Sequence, residues 1–466
     1  MKGIRRFIGD RAFYKMVLAV MLPIMLQNGI TNFVGLLDNI MIGQVGTDQM
    51  SGVSIANQLL LIFNLAAIGG SSAAGLFGAQ FYGKRDHVGV QNVLRIKLWF
   101  SVIISVLGAL IFTVFGRQLL SLFLHEGGST GNAEATLQYG LTYLNLSRFL
   151  LLPFSVVQAY SSTLRETAKT VPPMRAGLIA VFVNLFFNWV LIFGKLGMPA
   201  LGVSGAILAT IISRIVELVL VVSWTHRNRD INLFTEGLYR SVRVPGRLVR
   251  NVIVKGSPLL VNEVIWSAGM ATLAQAYSTR GLAVVAGYSI ANTVNQLFNI
   301  VFISFGIAIG IIVGNLLGAD KLDEARETDY KLIAFSVTTC FMTGWILFLI
   351  APFYPNFYNT TDEVRHLATQ FMRIAACMMP FYAFVDSTYF TLRSGGKTWI
   401  TFLFDGVFMW VVNVPVAMAL AHMTDLSAVM IYLFTSLLVL IKTVYGFILV
   451  RKGTWINNMV KDENGA

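Results

Sequence analysis

Residues 54–64 read SIANQLLLIFN and residues 289–299 read SIANTVNQLFN, the same opening tetrapeptide and the same closing Phe-Asn pair 235 positions apart. At that shift Pro23 falls on Pro258, Gly46 on Gly281, Gly52 on Gly287, Gly75 on Gly310 and Gly83 on Gly318, with no gap. Further along, a shift of 228 places Thr163-Leu164-Arg165 on Thr391-Leu392-Arg393 and Lys169-Thr170 on Lys397-Thr398, with Pro153-Phe154 one residue out of step with Pro380-Phe381. Apolar segments match one another by chance. Chance does not keep Pro, Asn and Gly in common register across loops as well as helices, so the chain reads as a duplication.

The 466 residues are 56% hydrophobic and 12% charged, too little polar surface to coat a water-soluble globule of this size. Apolar blocks of roughly 20 residues, the length that crosses a bilayer as a helix, fall near 16–37, 50–76, 96–117, 137–163, 174–194, 202–224, 256–278, 283–317, 332–352, 366–391, 399–421 and 427–450. A β-barrel calls for shorter, alternating segments. The expected fold is an all-α integral membrane protein of about 12 transmembrane helices. With six crossings per half, the halves enter the membrane in the same sense, as parallel repeats. They should form two pseudo-symmetric six-helix bundles around a central cavity: an N-terminal lobe over 1–225, a cytoplasmic linker over 226–255 and a C-terminal lobe over 256–466.

The net charge of +12 raises the question of nucleic acid, and the placement of the charge answers it. One set of loops carries only Arg117, Lys195, Arg280 and Arg365, and Arg148, Arg214, Arg373 and Lys442 lie inside spans. The rest of the 35 Lys and Arg gather on the side of the two tails, which the positive-inside rule makes cytoplasmic. We therefore expect a multi-pass protein of the cell (inner or plasma) membrane, monomeric, partnered by the lipid bilayer and by no nucleic acid. The basic flank Lys2, Arg5, Arg6, Arg11 and Lys15 runs into a full-length span and reads as a retained first helix. Cys340 and Cys377 fall in apolar spans without metal-ligand spacing and read as packing residues.

Charge inside a span is costly, about 2.5–3.5 kcal/mol for a central carboxylate, so each instance needs a reason. Glu217 stands one turn after Arg214 and should pair with it. Asp38, Glu263 and Asp386 have no such local partner, and Asp405 lies shallower. A carboxyl facing a wet cavity can bind a proton or a cation. Asn184 and Asn188, four apart, project their amides from one helix face; with Asp38 and a hydroxyl such as Thr210 they supply the several oxygens that a hard cation such as Na⁺ requires. The repeat does not duplicate these acids: Asp38 falls on Leu273, Glu263 on Asn28 and Asp386 on Gln158. The halves share a shape and differ in ion chemistry.

Together, the P-x14-D-x4-G of Pro23, Asp38 and Gly43, the A-Q-x-x-G of Ala79 to Gly83, the G-x-x-G-A-x-x-A-T of Gly202 to Thr210 and the two T-L-R runs resemble the multidrug and toxic compound extrusion (MATE) family of the MOP superfamily, in its NorM-like and DinF-like branches. The resemblance implies a secondary antiporter that exports cationic amphipathic drugs or toxic compounds in exchange for Na⁺ or H⁺. It also implies that Asp38, Asn184, Asn188 and Thr210 form the N-terminal-lobe cation site, and that Glu263 and Asp386 form a second cation or proton site. The DinF-like branch commonly has aspartate where Asn188 stands, a departure that leans towards Na⁺ with H⁺ competing.

Other readings fit less well. Gly78 to Lys84 has the G-x4-G-K spacing of a phosphate loop, but Arg85 occupies the Ser or Thr position and a membrane helix precedes it. No nucleophile, acid pair or metal cluster stands at bilayer depth to make an enzyme, no cofactor beyond the coupling ion is called for, and the five histidines (His87, His125, His226, His366, His422) are scattered. Lys84-Arg85-Asp86 does not fit the D-R-x-G-R of major-facilitator transporters. The alternative from a nearby class is a lipid-linked oligosaccharide or lipid flippase of the same superfamily, which lines its cavity with arginine.

Overall fold

A computed structural model describes residues 6–122, 133–358 and 360–461; Lys2, Arg5 and His125 lie outside them. Among the described residues there are twelve long helices and no strand. They are α1 (Arg11–Gly43), α2 (Thr47–Gly83), α3 (His87–Ser121), α4 (Ala133–Glu166), α5 (Val171–Phe193), α6 (Val203–Arg227), α7 (Gly246–Ser278), α8 (Leu282–Gly318), α9 (Leu322–Ile350), α10 (Asp362–Ser394), α11 (Thr398–Met423) and α12 (Ala428–Lys452). All but α7 and α10 are long and apolar enough to cross a bilayer by composition alone. Those two carry Glu263 and Asp386 among their other polar residues.

Helix α11 is irregular: Leu403–Val407 and Met409–Asn413 are π-helical just before Pro415. Proline has no N–H and its ring crowds the carbonyl four residues back, so wider turns relieve the clash. Pro23, Pro153, Pro258 and Pro380 all lie within helices, α1, α4, α7 and α10 in turn.

The duplication is written into the backbone. Left-handed residues recur at the repeat shifts: Arg85 (φ 62°) with Asp320 (φ 59°), and Ala168 (φ 58°) with Gly396 (φ 73°). A non-glycine residue rarely adopts this conformation, so its return at matching turns reports a common ancestor and not a common propensity. Ala56 and its mate Ala291 are both fully buried.

The chain forms two compact units, one of residues 1–25, 79–85 and 251–466, the other of 26–78 and 86–250. In the first, Val17, Met21 and Ile24 of α1 pack with Phe305, Ile309 and Val313 of α8. Here α2 crosses α8 at a reciprocal contact: a methyl on Gly83 would sit 1.9 Å from the Asn315 carbonyl oxygen, and one on Gly318 would sit 1.9 Å from that of Gln80. Gln80 and Asn315 are themselves repeat mates, so the same pair of positions makes both halves of the crossing, and only glycine allows it. In the second unit, Ile42, Val53 and Phe63 pack with Leu144, Leu151 and Ile207. There the stretch after α6 is docked on α3: Gln91 donates to the Phe234 and Glu236 carbonyls, and Arg95 to those of Gly237 and Leu238. Of the cysteines, Cys340 packs with Met379 and Ala383, but Cys377 is exposed, because Ala376 takes the inward place beside it on α10.

After α12 the chain turns at Gly453 and lies as a strap over the ends of other helices in the first unit. Gln80 Nε2 donates to the carbonyls of Ser394 (2.9 Å) and Asn457 (3.2 Å), Gln80 Oε1 accepts from the Met459 N–H (2.7 Å), and Lys84 reaches the Val460 carbonyl (2.8 Å). Trp455 is fully buried beneath it. Trp455→Ala is expected to cost about 3–5 kcal/mol and to lower the thermal midpoint in detergent. An unchanged midpoint would mean that the strap contributes no stability.

Candidate functional site

The N-terminal candidates depend on how tightly α6 packs on α5. Gly205 allows the approach, since a methyl there would meet the Leu191 carbonyl oxygen at 2.5 Å, and the small Ala209 packs against Val190 and Leu191. The motif of Gly202 to Thr210 is thus a spacing device, and it brings Thr210 beside Asn184. Asn184 Nδ2 donates to Thr210 Oγ1 (3.4 Å), Asn188 Nδ2 contacts Asn184 Oδ1 (3.1 Å), and the same Nδ2 donates to Asp38 Oδ1 (2.6 Å). All four residues expected to gather therefore do so, along one continuous chain of hydrogen bonds. Asn184 and Asn188 are buried, and Asn188 Oδ1 has no partner. A buried amide oxygen left unpaired costs about 1–3 kcal/mol, which makes it an acceptor ready for a cation or a donor.

Two neighbours of this chain were not legible. Tyr143 of α4, buried at 6% exposure, couples electrostatically to Asp38. So does Arg214, which spends its own charge on Glu217 at 2.5 Å as its spacing suggested. Asp38 itself forms no ion pair among the described residues.

In the other unit, Glu263 of α7 and Asp386 of α10 share an electrostatic neighbourhood with Asp405 and Arg393, without a direct hydrogen bond between the two acids. Asp405 stands in the π-helical part of α11, where it accepts from Lys442 of α12 (2.7 Å) and from Asn262 Nδ2 (3.2 Å). That pair satisfies the one lysine here. Asp386 Oδ2 is buried without a partner, and Gly306 of α8 makes room for it, because a methyl there would come within 2.5 Å of that oxygen. Arg393 lies over the Phe390 ring at 5.5 Å. Among the described residues no cluster of three or more His, Cys, Asp or Glu has the arrangement of a metal site.

A buried ion pair also went unread. Lys97 of α3, fully buried, meets both carboxylate oxygens of Glu166 of α4 at 2.6 and 2.7 Å and the hydroxyls of Ser162 (2.9 Å) and Thr163 (3.1 Å). Gly75 and Gly78 cradle Glu166, each leaving only 2.3 Å between a would-be methyl and a carboxylate oxygen.

The MatE family profile matches residues 23–190 and 258–419, more than half of the chain and one segment in each half. The chain belongs to the MatE family. It is accordingly a multi-pass membrane transporter with the twelve-helix MATE fold. Similar MATE proteins include the probable multidrug resistance protein YoeA of Bacillus subtilis (strain 168), 23% identical over 445 residues and 93% of each chain. The probable multidrug resistance protein NorM of Thermotoga maritima is 24% identical over 424 residues, 89% of this chain and 87% of its own. A solved structure described as the outward-facing conformation of a multidrug resistance MATE family transporter of the MOP superfamily superposes with a TM-score of 0.82 at 17% identity, over 97% of this chain and 99% of that one. At that identity it speaks for the MATE fold alone.

Proposed function

We propose that this MATE transporter is a secondary antiporter that exports cationic amphipathic compounds in exchange for Na⁺ or H⁺, with lobes 1–225 and 256–466 joined by a linker over 226–255 and both termini in the cytoplasm. The observation that carries the proposal is the chain Asp38–Asn188–Asn184–Thr210: a carboxylate with no ion-pair partner among the described residues, linked to two amides and a hydroxyl, with a spare buried amide oxygen. A carboxylate, two carbonyl-type oxygens and a hydroxyl suit Na⁺, and the carboxylate alone suits a proton. A bound ion and a bound organic cation would then favour different helix arrangements, and ion entry promotes release by linkage. The names carried by the NorM and YoeA relatives support multidrug compounds as cargo.

Glu263 and Asp386 are the second ion site in this proposal. Asp386→Asn preserves shape and removes charge, so it is expected to lower ion-driven efflux roughly tenfold, within the usual range of coupling energies, with normal membrane insertion. Efflux at the wild-type rate would remove Asp386 from the mechanism. The proposal as a whole is tested in vesicles offered a fluorescent organic cation and, separately, a labelled lipid. Movement of the cation alone supports the exporter. Movement of the lipid alone would make the chain a flippase and overturn the exporter.

A further inference from the structure

The two T-L-R runs have different partners. In the first half, Thr163 serves the Lys97 ammonium, whose charge Glu166 balances. In the second half, the mate Thr391 serves a carboxyl, Asp329 of α9, with Thr391 Oγ1 and Asp329 Oδ1 2.6 Å apart. Glu166 maps onto Ser394 at the shift of 228 and Lys97 onto Leu332 at that of 235, so the second half retains neither member of the ion pair and places the Asp329 carboxyl there instead. Asp329 has zero exposure, and its Oδ2 has no partner.

The charged groups nearby are all turned elsewhere. Arg326, on the same helix, donates to the Arg451 carbonyl, and Arg451 and Lys452 at the end of α12 are exposed. Arg393 of α10 lies over Phe390 and acts on Glu263 and Asp386. Tyr14 of α1 packs on Phe335, and α8 carries no charged residue. Among the described residues no charged side chain acts on Asp329, and Thr391 is its only hydrogen-bond partner.

Proton counting then decides its state. Thr391 Oγ1 is also 3.0 Å from the Ser387 carbonyl, and a hydroxyl has one proton to give. If that proton goes to the carbonyl, the shorter contact needs a proton from Asp329. If it goes to Asp329 instead, a carboxylate stands buried with no counter-charge, the costliest arrangement available. A metal cation is disfavoured because it would want several oxygens and Asp329 has one partner. The surroundings also offer a route. Ser387 and Thr391 lie on one face of α10, Asp329 and Ser336 on one face of α9; the Ser387 hydroxyl is fully buried without a partner, and the Ser336 hydroxyl is fully buried beside Cys340. Asp386 is the residue next to Ser387.

We propose that Asp329 is a proton-binding site of this transporter, protonated in the present arrangement, and that its proton is exchanged with water during transport. The proposal rests on the antiport reading above. It is tested on the full chain, as wild type and as Asp329→Asn, an isostere able to donate to Thr391 Oγ1. Infrared titration difference spectra and ethidium efflux from vesicles are measured, the latter driven by a pH gradient and, separately, as gradient-free substrate exchange. We expect Asp329→Asn to lack one protonated-carboxyl band present in wild type and to lose pH-driven efflux roughly tenfold, with gradient-free exchange kept. Thr391→Val, which leaves the carboxyl and removes its partner, should shift that band to higher frequency. A full set of carboxyl bands in Asp329→Asn, or pH-driven efflux at the wild-type rate, overturns the proposal. If the wild type shows no ion-driven efflux at all, the antiport reading fails, and the infrared band still decides whether Asp329 holds a proton.

Discussion

Asp38→Asn is expected to lower ion-driven efflux on the order of a hundredfold, the upper part of the range that a coupling energy of about 1–3 kcal/mol supplies, while insertion and thermal stability stay near wild type. Asparagine keeps an oxygen where Asp38 Oδ1 accepts from Asn188 at 2.6 Å, so the chain through Asn184 to Thr210 is preserved. What disappears is the one negative charge in that chain. Arg214, already bound to Glu217, cannot stand in for a coupling ion. Comparing efflux with membrane yield separates the two roles. A parallel fall in both would make Asp38 a structural residue.

The second large effect concerns stability alone. Lys97→Met removes the ammonium that contacts four oxygens and deprives buried Glu166 of its ion-pair partner, at an expected cost of about 3–5 kcal/mol. Gly75 and Gly78 leave the space that the buried carboxylate fills. The double variant Lys97→Met, Glu166→Gln should recover much of the loss, because a buried charge and not a missing contact is the source of the cost. Thermal midpoints of the single and double variants in detergent check this. Equal midpoints for the two would remove the buried ion pair from the account.

The fold was legible because the duplication preserves the residues that shape helices. Proline, glycine and the Ser-Ile-Ala-Asn run keep register, and the left-handed turns at Arg85 and Asp320 follow the same shift. The gathering of Asp38, Asn184, Asn188 and Thr210 was also legible in part: Asn184 and Asn188 share a helix face by spacing, and the resemblance added Thr210 to the set. Pairings across helices were not. Lys97 and Glu166 stand 69 positions apart, and Asp405 and Lys442 stand 37 apart, separations that carry no periodic signal. Asp329 was missed for a different reason. The charged opening of α9, from Asp323 to Lys331, depresses hydropathy, so the apolar span begins only near 332, whereas the helix begins at Leu322 and carries Asp329 into the interior. Hydropathy locates lipid-facing apolar blocks; it does not register a polar opening stretch that neighbouring helices bury.

Ethidium efflux from vesicles of purified protein, with a Na⁺ gradient and a pH gradient imposed one at a time, bears most directly on the role of the Asp38 cluster. The account predicts efflux under at least one gradient in the wild type and almost none under either in Asp38→Asn. Efflux that ignores both gradients, or that survives in Asp38→Asn, would contradict it.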